Sequence, residues 1–132
     1  MTYALDSNII SYLLKKDLNV FKRSLEEVKT GNVCVIPPVA YYEIKRGLLA
    51  VQATSKMNHF NDLCRDFAVE EMSKTAWDEA ARLYAEHRTK NTIEDADIFI
   101  AAFCIANDYT LVTNNTKHFE QIGGLRFANW AQ

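Results

Sequence analysis

The stretch Tyr3-Ala4-Leu5-Asp6-Ser7-Asn8-Ile9-Ile10 decides how the chain is to be read. Three apolar residues run into three that favour turns and helix caps, and Ile9, Ile10, Leu13 and Leu14 then recur at helical spacing. That pattern predicts a strand, a tight turn and a helix, with a carboxylate at the junction. The same grammar returns at Val33-Cys34-Val35-Ile36, an apolar run followed by Pro37-Pro38, which suits a helix entrance, and by a helix over about Val39 to Val51 carrying Glu43 one turn in. Between these units a helix is expected from Asn19 to Lys29, stopping at Gly31. Beyond them follow a helix over Ser55 to Arg65, a short strand Phe67 to Val69, and a helix from Ser73 to His87. Thr92-x-x-Asp95 reads as a capping box for an apolar helix over Ala96 to Ala106, and Leu111 to Thr113 is a strand ending in Asn114-Asn115. The tail, Leu125 to Trp130, is either an edge strand or a loosely docked segment.

Strands alternating with helices define an α/β fold with a mainly parallel sheet. In such sheets, sites lie beyond the carboxyl ends of the strands, which directs attention to Asp6 and to Thr113-Asn114-Asn115.

Composition limits the functions open to such a chain. With 132 residues it is the size of one domain, and 48 % hydrophobic residues with only 4 Gly and 2 Pro exclude a disordered or loop-rich scaffold. The 15 basic residues against 17 acidic ones create no global positive field, so any nucleic-acid surface must be local. Cys34, Cys64 and Cys104 form neither a disulfide framework nor a zinc knuckle. No signal peptide or membrane-length apolar run is evident, and the expected location is cytoplasmic.

Three carboxylates then stand out. Asp6 has an ordinary reading as an N-cap, and Glu43 as a solvated helical residue. Asp97 is harder to dismiss, because it shares a helix face with Ala101 and Cys104 and so belongs to a buried stripe. If the three converge, their repulsion raises at least one pKa unless a cation neutralises them. Oxygen ligands without a supporting histidine favour Mg²⁺ or Mn²⁺ over Zn²⁺. Thr113, Asn114 and Asn115 supply neutral oxygens to such a cluster, or merely form a β-turn. Ser7 is a helix cap, and His59, His87 and His118 show no ligand spacing, which argues against a nucleophilic triad or a zinc site.

In order and spacing, Asp6-Ser7-Asn8-Ile9, Glu43, Asp97-Ile98-Phe99-Ile100-Ala101-Ala102 and Leu111-Val112-Thr113-Asn114-Asn115-Thr116-Lys117-His118-Phe119 resemble PIN-domain ribonucleases, more narrowly VapC-type toxins. The resemblance spans residues 3 to 130 and implies one PIN domain over 1–132, a three-layer fold with a mainly parallel sheet of about four or five strands flanked by helices. It further implies a Mg²⁺- or Mn²⁺-dependent endoribonuclease leaving a 5′-phosphate and a 3′-hydroxyl. Asp6, Glu43 and Asp97 match the family acids, with Asp6 and Asp97 as metal ligands, and Asn8 and Thr113 match accessory positions. Where many members carry a fourth acid this chain has Asn115, and Asp95 is the candidate substitute.

An acidic pocket needs a rim of cations to hold RNA. Lys15-Lys16, Lys45-Arg46, Arg88 with Lys90, and Lys117-His118 are candidates, with Arg46 and Lys117 placed first. The resemblance also implies a homodimer or higher toxin–antitoxin oligomer, and a VapB-like antitoxin whose C-terminal segment folds on binding and sets a basic side chain over the acids. Tyr41, Tyr42, Phe60 and Trp77 are candidates to line that groove or, alternatively, core residues. Two other classes share these features: a catalytically silent PIN-like interaction module, and another Mg²⁺-dependent phosphoesterase.

Overall fold

A computed structural model of the 132-residue chain describes residues 1–89 and 93–132. The proposed capping residue Thr92 and the rim candidate Lys90 lie outside the described residues. Five strands, β1 (Thr2–Leu5), β2 (Val33–Ile36), β3 (Ala68–Val69), β4 (Thr110–Val112) and β5 (Arg126–Ala128), form one sheet in the order β3-β2-β1-β4-β5. Every pairing is parallel, as expected for strands linked through helices. The helices are α1 (Ser7–Leu14), α2 (Leu18–Lys29), α3 (Pro38–Ala50), α4 (Thr54–Asp66), α5 (Lys74–His87), α6 (Asp95–Asn107) and α7 (Thr116–Phe119).

The period-2 alternation of side chains sorts the strands onto two faces. Tyr3, Leu5, Ile36 and Val112 pack with Ile9, Ile10, Val20, Ile44 and Phe60 of helices α1 to α4, whereas Ala4, Val35 and Leu111 pack with Leu83, Ile100 and Phe103 of α5 and α6. The result is a three-layer α/β/α arrangement, as the sequence predicts. The tail is the edge strand β5, paired with β4 through Thr110↔Arg126 to Val112↔Ala128, and Trp130 then packs edge-on against Tyr3 with ring centroids 5.1 Å apart. Of the four aromatics considered for a groove, Tyr41 stacks on fully buried Phe60, while Tyr42 and Trp77 are about half exposed. The four-residue helix α7 was not foreseen, because it starts directly after the Asn pair read as a turn.

Chain direction matters more than layering. From β1 the chain passes to β2 and β3 on one side, then returns to place β4 and β5 on the other. The order therefore reverses between β1 and β4, and the crevice at their carboxyl ends is where this architecture leaves room for a ligand.

Candidate active site

Asp6 stands at that reversal. Its backbone N–H continues the β1–β4 ladder to Val112 O at 2.9 Å, while its side chain caps α1 by accepting from the Ser7 N–H at 2.8 Å. One residue thus ends a strand, starts a helix and presents a carboxylate. The register that pairs Leu5 with Val112 sets Asp6 beside Thr113, whose buried hydroxyl donates to Asp6 Oδ2 at 2.8 Å. Asn8 reaches the same oxygen through Nδ2 at 3.2 Å and accepts the Asn114 N–H through Oδ1 at 2.9 Å. Asp6 is buried but carries this set of donors, as a buried carboxylate must.

Glu43 approaches from α3 and Asp97 from the first turn of α6, each half-buried. The three acids act on one another through their charge. Burial is the largest cause raising the pKa of all three; the charge of Asp6 adds to the rise at Glu43 and at Asp97, and that of Asp97 adds to it at Glu43. The Thr113, Ser7 and Asn8 donors pull Asp6 back down. In such a cluster burial and repulsion outweigh the positive charge nearby.

The accessory positions divide. Asn8 and Thr113 touch Asp6 directly. Asn115 serves through its backbone, donating its N–H to Thr113 Oγ1 at 3.0 Å, while its side chain is exposed and does not cap α7. Asp95 is exposed, and the extra acid that bears on Asp97 is its neighbour Glu94, which raises the Asp97 pKa. Asn114 ties the loop after β4 to Tyr12 on α1 and to Asn129 after β5.

The sequence offers His118 only as part of the cationic rim with Lys117, yet its Nδ1 lies 3.1 Å from Asp97 Oδ2. When protonated, it lowers the pKa of Asp6 as well as that of Asp97. The only advance signal was its place three residues beyond Asn115.

The cations also sort by geometry. Lys45 turns away, donating to the Tyr41 hydroxyl at 2.8 Å and covering that ring. Arg46 lies over the Tyr42 ring, 5.0 Å from its centroid, and its charge lowers the pKa of Glu43. Lys117 is exposed on α7. Lys15 and Lys56 join Ser11, Glu43 and Gly47 around a groove of about 220 Å³ that Glu43 alone of the three acids lines; nothing in the sequence singles out Lys56. A larger apolar groove of about 460 Å³ lies between α1, α2 and α4, lined by Leu13, Leu14, Leu18, Phe21 and Leu63.

Known proteins resemble this chain along nearly its whole length. The "Ribonuclease VapC2" of Rickettsia felis is 29 % identical over 136 residues, covering 98 % of each chain. The crystal structure of VapBC2 from the same organism, bound to a DNA fragment from their promoter, superposes with a TM-score of 0.85 at 29 % identity, over 98 % of this chain and 99 % of that one. VapBC-1 from nontypeable Haemophilus influenzae shares the fold over the full length of both chains, with a TM-score of 0.88 at 22 % identity. The PIN domain model matches residues 3–125, and with its acids gathered where the strand order reverses, the chain belongs to the PIN-domain family.

Proposed function

We propose that the chain is a single-domain endoribonuclease toxin of the VapC type, hydrolysing phosphodiester bonds in cellular RNA and restrained by a VapB-like antitoxin. What supports this reading is that burial raises the pKa of Asp6, Glu43 and Asp97 and that the charge of Asp6 adds to the rise at the other two. The ribonuclease relatives, which match along their whole length, support the substrate class.

The donor set fits Mg²⁺ or Mn²⁺: it is made of carboxylate oxygens whose burial and repulsion a divalent ion relieves. Among the described residues no three His, Cys, Asp or Glu side chains stand close enough together to hold an ion, so binding would require the acids to move closer. Asp6 and Asp97 are the residues that would hold the ion. Bound there, it supplies Lewis acidity toward the scissile phosphate and lowers the pKa of water.

The chain's own groups do the rest. Thr113, Asn8 and the Ser7 N–H fix Asp6 in one orientation, so the movement that binding requires falls to the other acids. Glu43, with its pKa raised by burial and by Asp6, is a better proton acceptor than an ordinary carboxylate and takes the proton of the attacking water. Attack at phosphorus then leaves a 5′-phosphate and releases a 3′-hydroxyl. Arg46 and Lys117 contact flanking phosphates and offset the repulsion between the acids and RNA.

The large apolar groove beside α1, with Leu18 and Phe21 exposed at its edge, suits the apolar anchors of an antitoxin segment that folds on binding. No helix among the described residues is long and apolar enough to cross a membrane. A cytoplasmic site of action and assembly as a homodimer or larger toxin–antitoxin oligomer complete the proposal.

The test is cleavage of total cellular RNA by the purified chain with Mg²⁺ or Mn²⁺, with excess EDTA, and with Asp6→Ala. Discrete fragments that vanish with EDTA and with the substitution are expected. Intact RNA in every lane from folded, metal-replete, antitoxin-free protein would refute the enzyme and favour a silent interaction module.

A further inference from the structure

Two lysines from separate helices meet at the groove that Glu43 lines. Ser11 and Lys15 face this space of about 220 Å³ from α1 and its C-cap, Glu43 and Gly47 from α3, and Lys56 from the first turn of α4. The remaining lining is aliphatic. Ser11 and Lys15 stand four positions apart, as do Glu43 and Gly47, so each pair shares one face of its helix. Both lysines are exposed, and among the described residues neither is paired with a carboxylate. Lys45, in contrast, is taken by the Tyr41 hydroxyl, and Lys74 by Asp78. With Glu43 the one carboxylate in the lining, the groove is net positive and favours an anion.

Gly47 is the second sign. Glycine is a poor residue inside a helix, yet this one lies within α3, where an added Cβ would meet nothing within 4 Å. Packing therefore does not demand it. Its missing side chain keeps the groove open one helical turn from Glu43. The space is smaller than the roughly 300–1,000 Å³ of pockets that enclose a whole small molecule, so it suits a backbone link rather than a base or a free nucleotide.

We propose that this groove is a subsite for the RNA strand, in which Lys15 and Lys56 hold a backbone phosphate beyond the scissile bond and the ribose rests on the aliphatic floor. The inference rests on the ribonuclease reading above for its substrate. It adds the path of the strand, which leaves Glu43 between α1 and α4 as well as passing Arg46 and Lys117. An acidic peptide would also satisfy two lysines. RNA is favoured because the residue assigned to take the proton of the attacking water borders the same space, so a strand held there is continuous with the bond to be cut.

The test measures binding of a fluorescein-labelled oligouridylate by the full, antitoxin-free chain in Mg²⁺, on an Asp6→Asn background that leaves the groove intact. Lys15→Ala and Lys56→Ala should each flatten the dependence of log affinity on log salt concentration by about 0.7, and the double variant by about 1.4. Lys16→Ala is the control, because Lys16 lines the separate apolar groove, and it should leave the slope unchanged. Gly47→Leu should fill the groove and weaken binding by about tenfold without lowering the melting temperature. Slopes equal to the parent's in the double variant overturn the inference, as does full affinity in Gly47→Leu or a parent that does not bind. Polyglutamate bound through the same lysines, with oligouridylate indifferent to them, would give the groove to an acidic peptide and overturn it too. Cleavage of cellular RNA by wild type tests the parent reading separately. Active enzyme with unaltered slopes removes only the groove, whereas intact RNA with flattened slopes removes the nuclease and supports a strand-binding groove.

Discussion

Replacing Thr113 with valine removes one hydroxyl from the buried centre of the site while keeping its volume. The hydroxyl donates to Asp6 Oδ2 at 2.8 Å and accepts the Asn115 N–H at 3.0 Å. A hydrogen bond to a charged group contributes about 1.5–3 kcal/mol, and the Asn115 N–H left without its acceptor costs about 1 kcal/mol more. The expected loss near neutral pH is therefore about 2–4 kcal/mol, against a total stability of roughly 7–20 kcal/mol for a chain of this size, so the variant still folds. The loss also depends on pH. Burial already holds the Asp6 pKa above its ordinary value and Thr113 is the leading influence opposing that rise, so the substitution raises it further. The folded variant then retains a proton that the unfolded chain has released, and its stability falls as pH rises from about 4 through the folded pKa. Below that window both states are protonated and the penalty shrinks toward about 1 kcal/mol, the value of a neutral hydrogen bond. Urea titrations of both proteins in acid and near neutrality, with unchanged m-values, measure the difference. An equal loss at both pH values, or one below about 0.5 kcal/mol, would show that Thr113 does not hold a charged Asp6.

Glu43→Gln should abolish cleavage and yet raise the melting temperature near neutral pH, because the folded-state pKa of Glu43 is raised and its ionised form costs stability above that value; the gain should fade toward pH 4, and an unstabilised variant would contradict the repulsion argument. On that inactive background, Arg46→Ala and Lys117→Ala should each flatten the dependence of log affinity for single-stranded RNA on log salt concentration by about 0.7, and slopes equal to those of the parent would remove both residues from the phosphate path.

Much of the architecture was legible because it depends on local rules. Strand-to-helix junctions at Asp6 and Pro37-Pro38 are written in apolar runs and caps, and Asp97 attracted notice by sharing a face with Ala101 and Cys104, both of which prove fully buried. Features that depend on helix rotation were less accessible. Lys45 adjoins Arg46 in sequence, but it lies two positions from Glu43, which turns it to another side of α3 where Tyr41, one turn back, receives it. The same rotation lets Glu94 rather than Asp95 bear on Asp97. Helix α7 spans four residues, too few for periodicity to register, and the pairing of His118 with Asp97 crosses 21 positions without a local trace. Lys56 enters the groove beside Glu43 only because α4 packs on α3.

The bond between Thr113 and Asp6 joins residues 107 positions apart. Ser7 and Asn8 reach Asp6 locally, but the Thr113 hydroxyl arrives only when β4 docks beside β1. Long-range parallel pairing of this kind is among the slower steps of folding. A nascent or truncated chain lacking β4 therefore holds Asp6 without its partner across the sheet, and the proposed site is completed only once that pairing has formed.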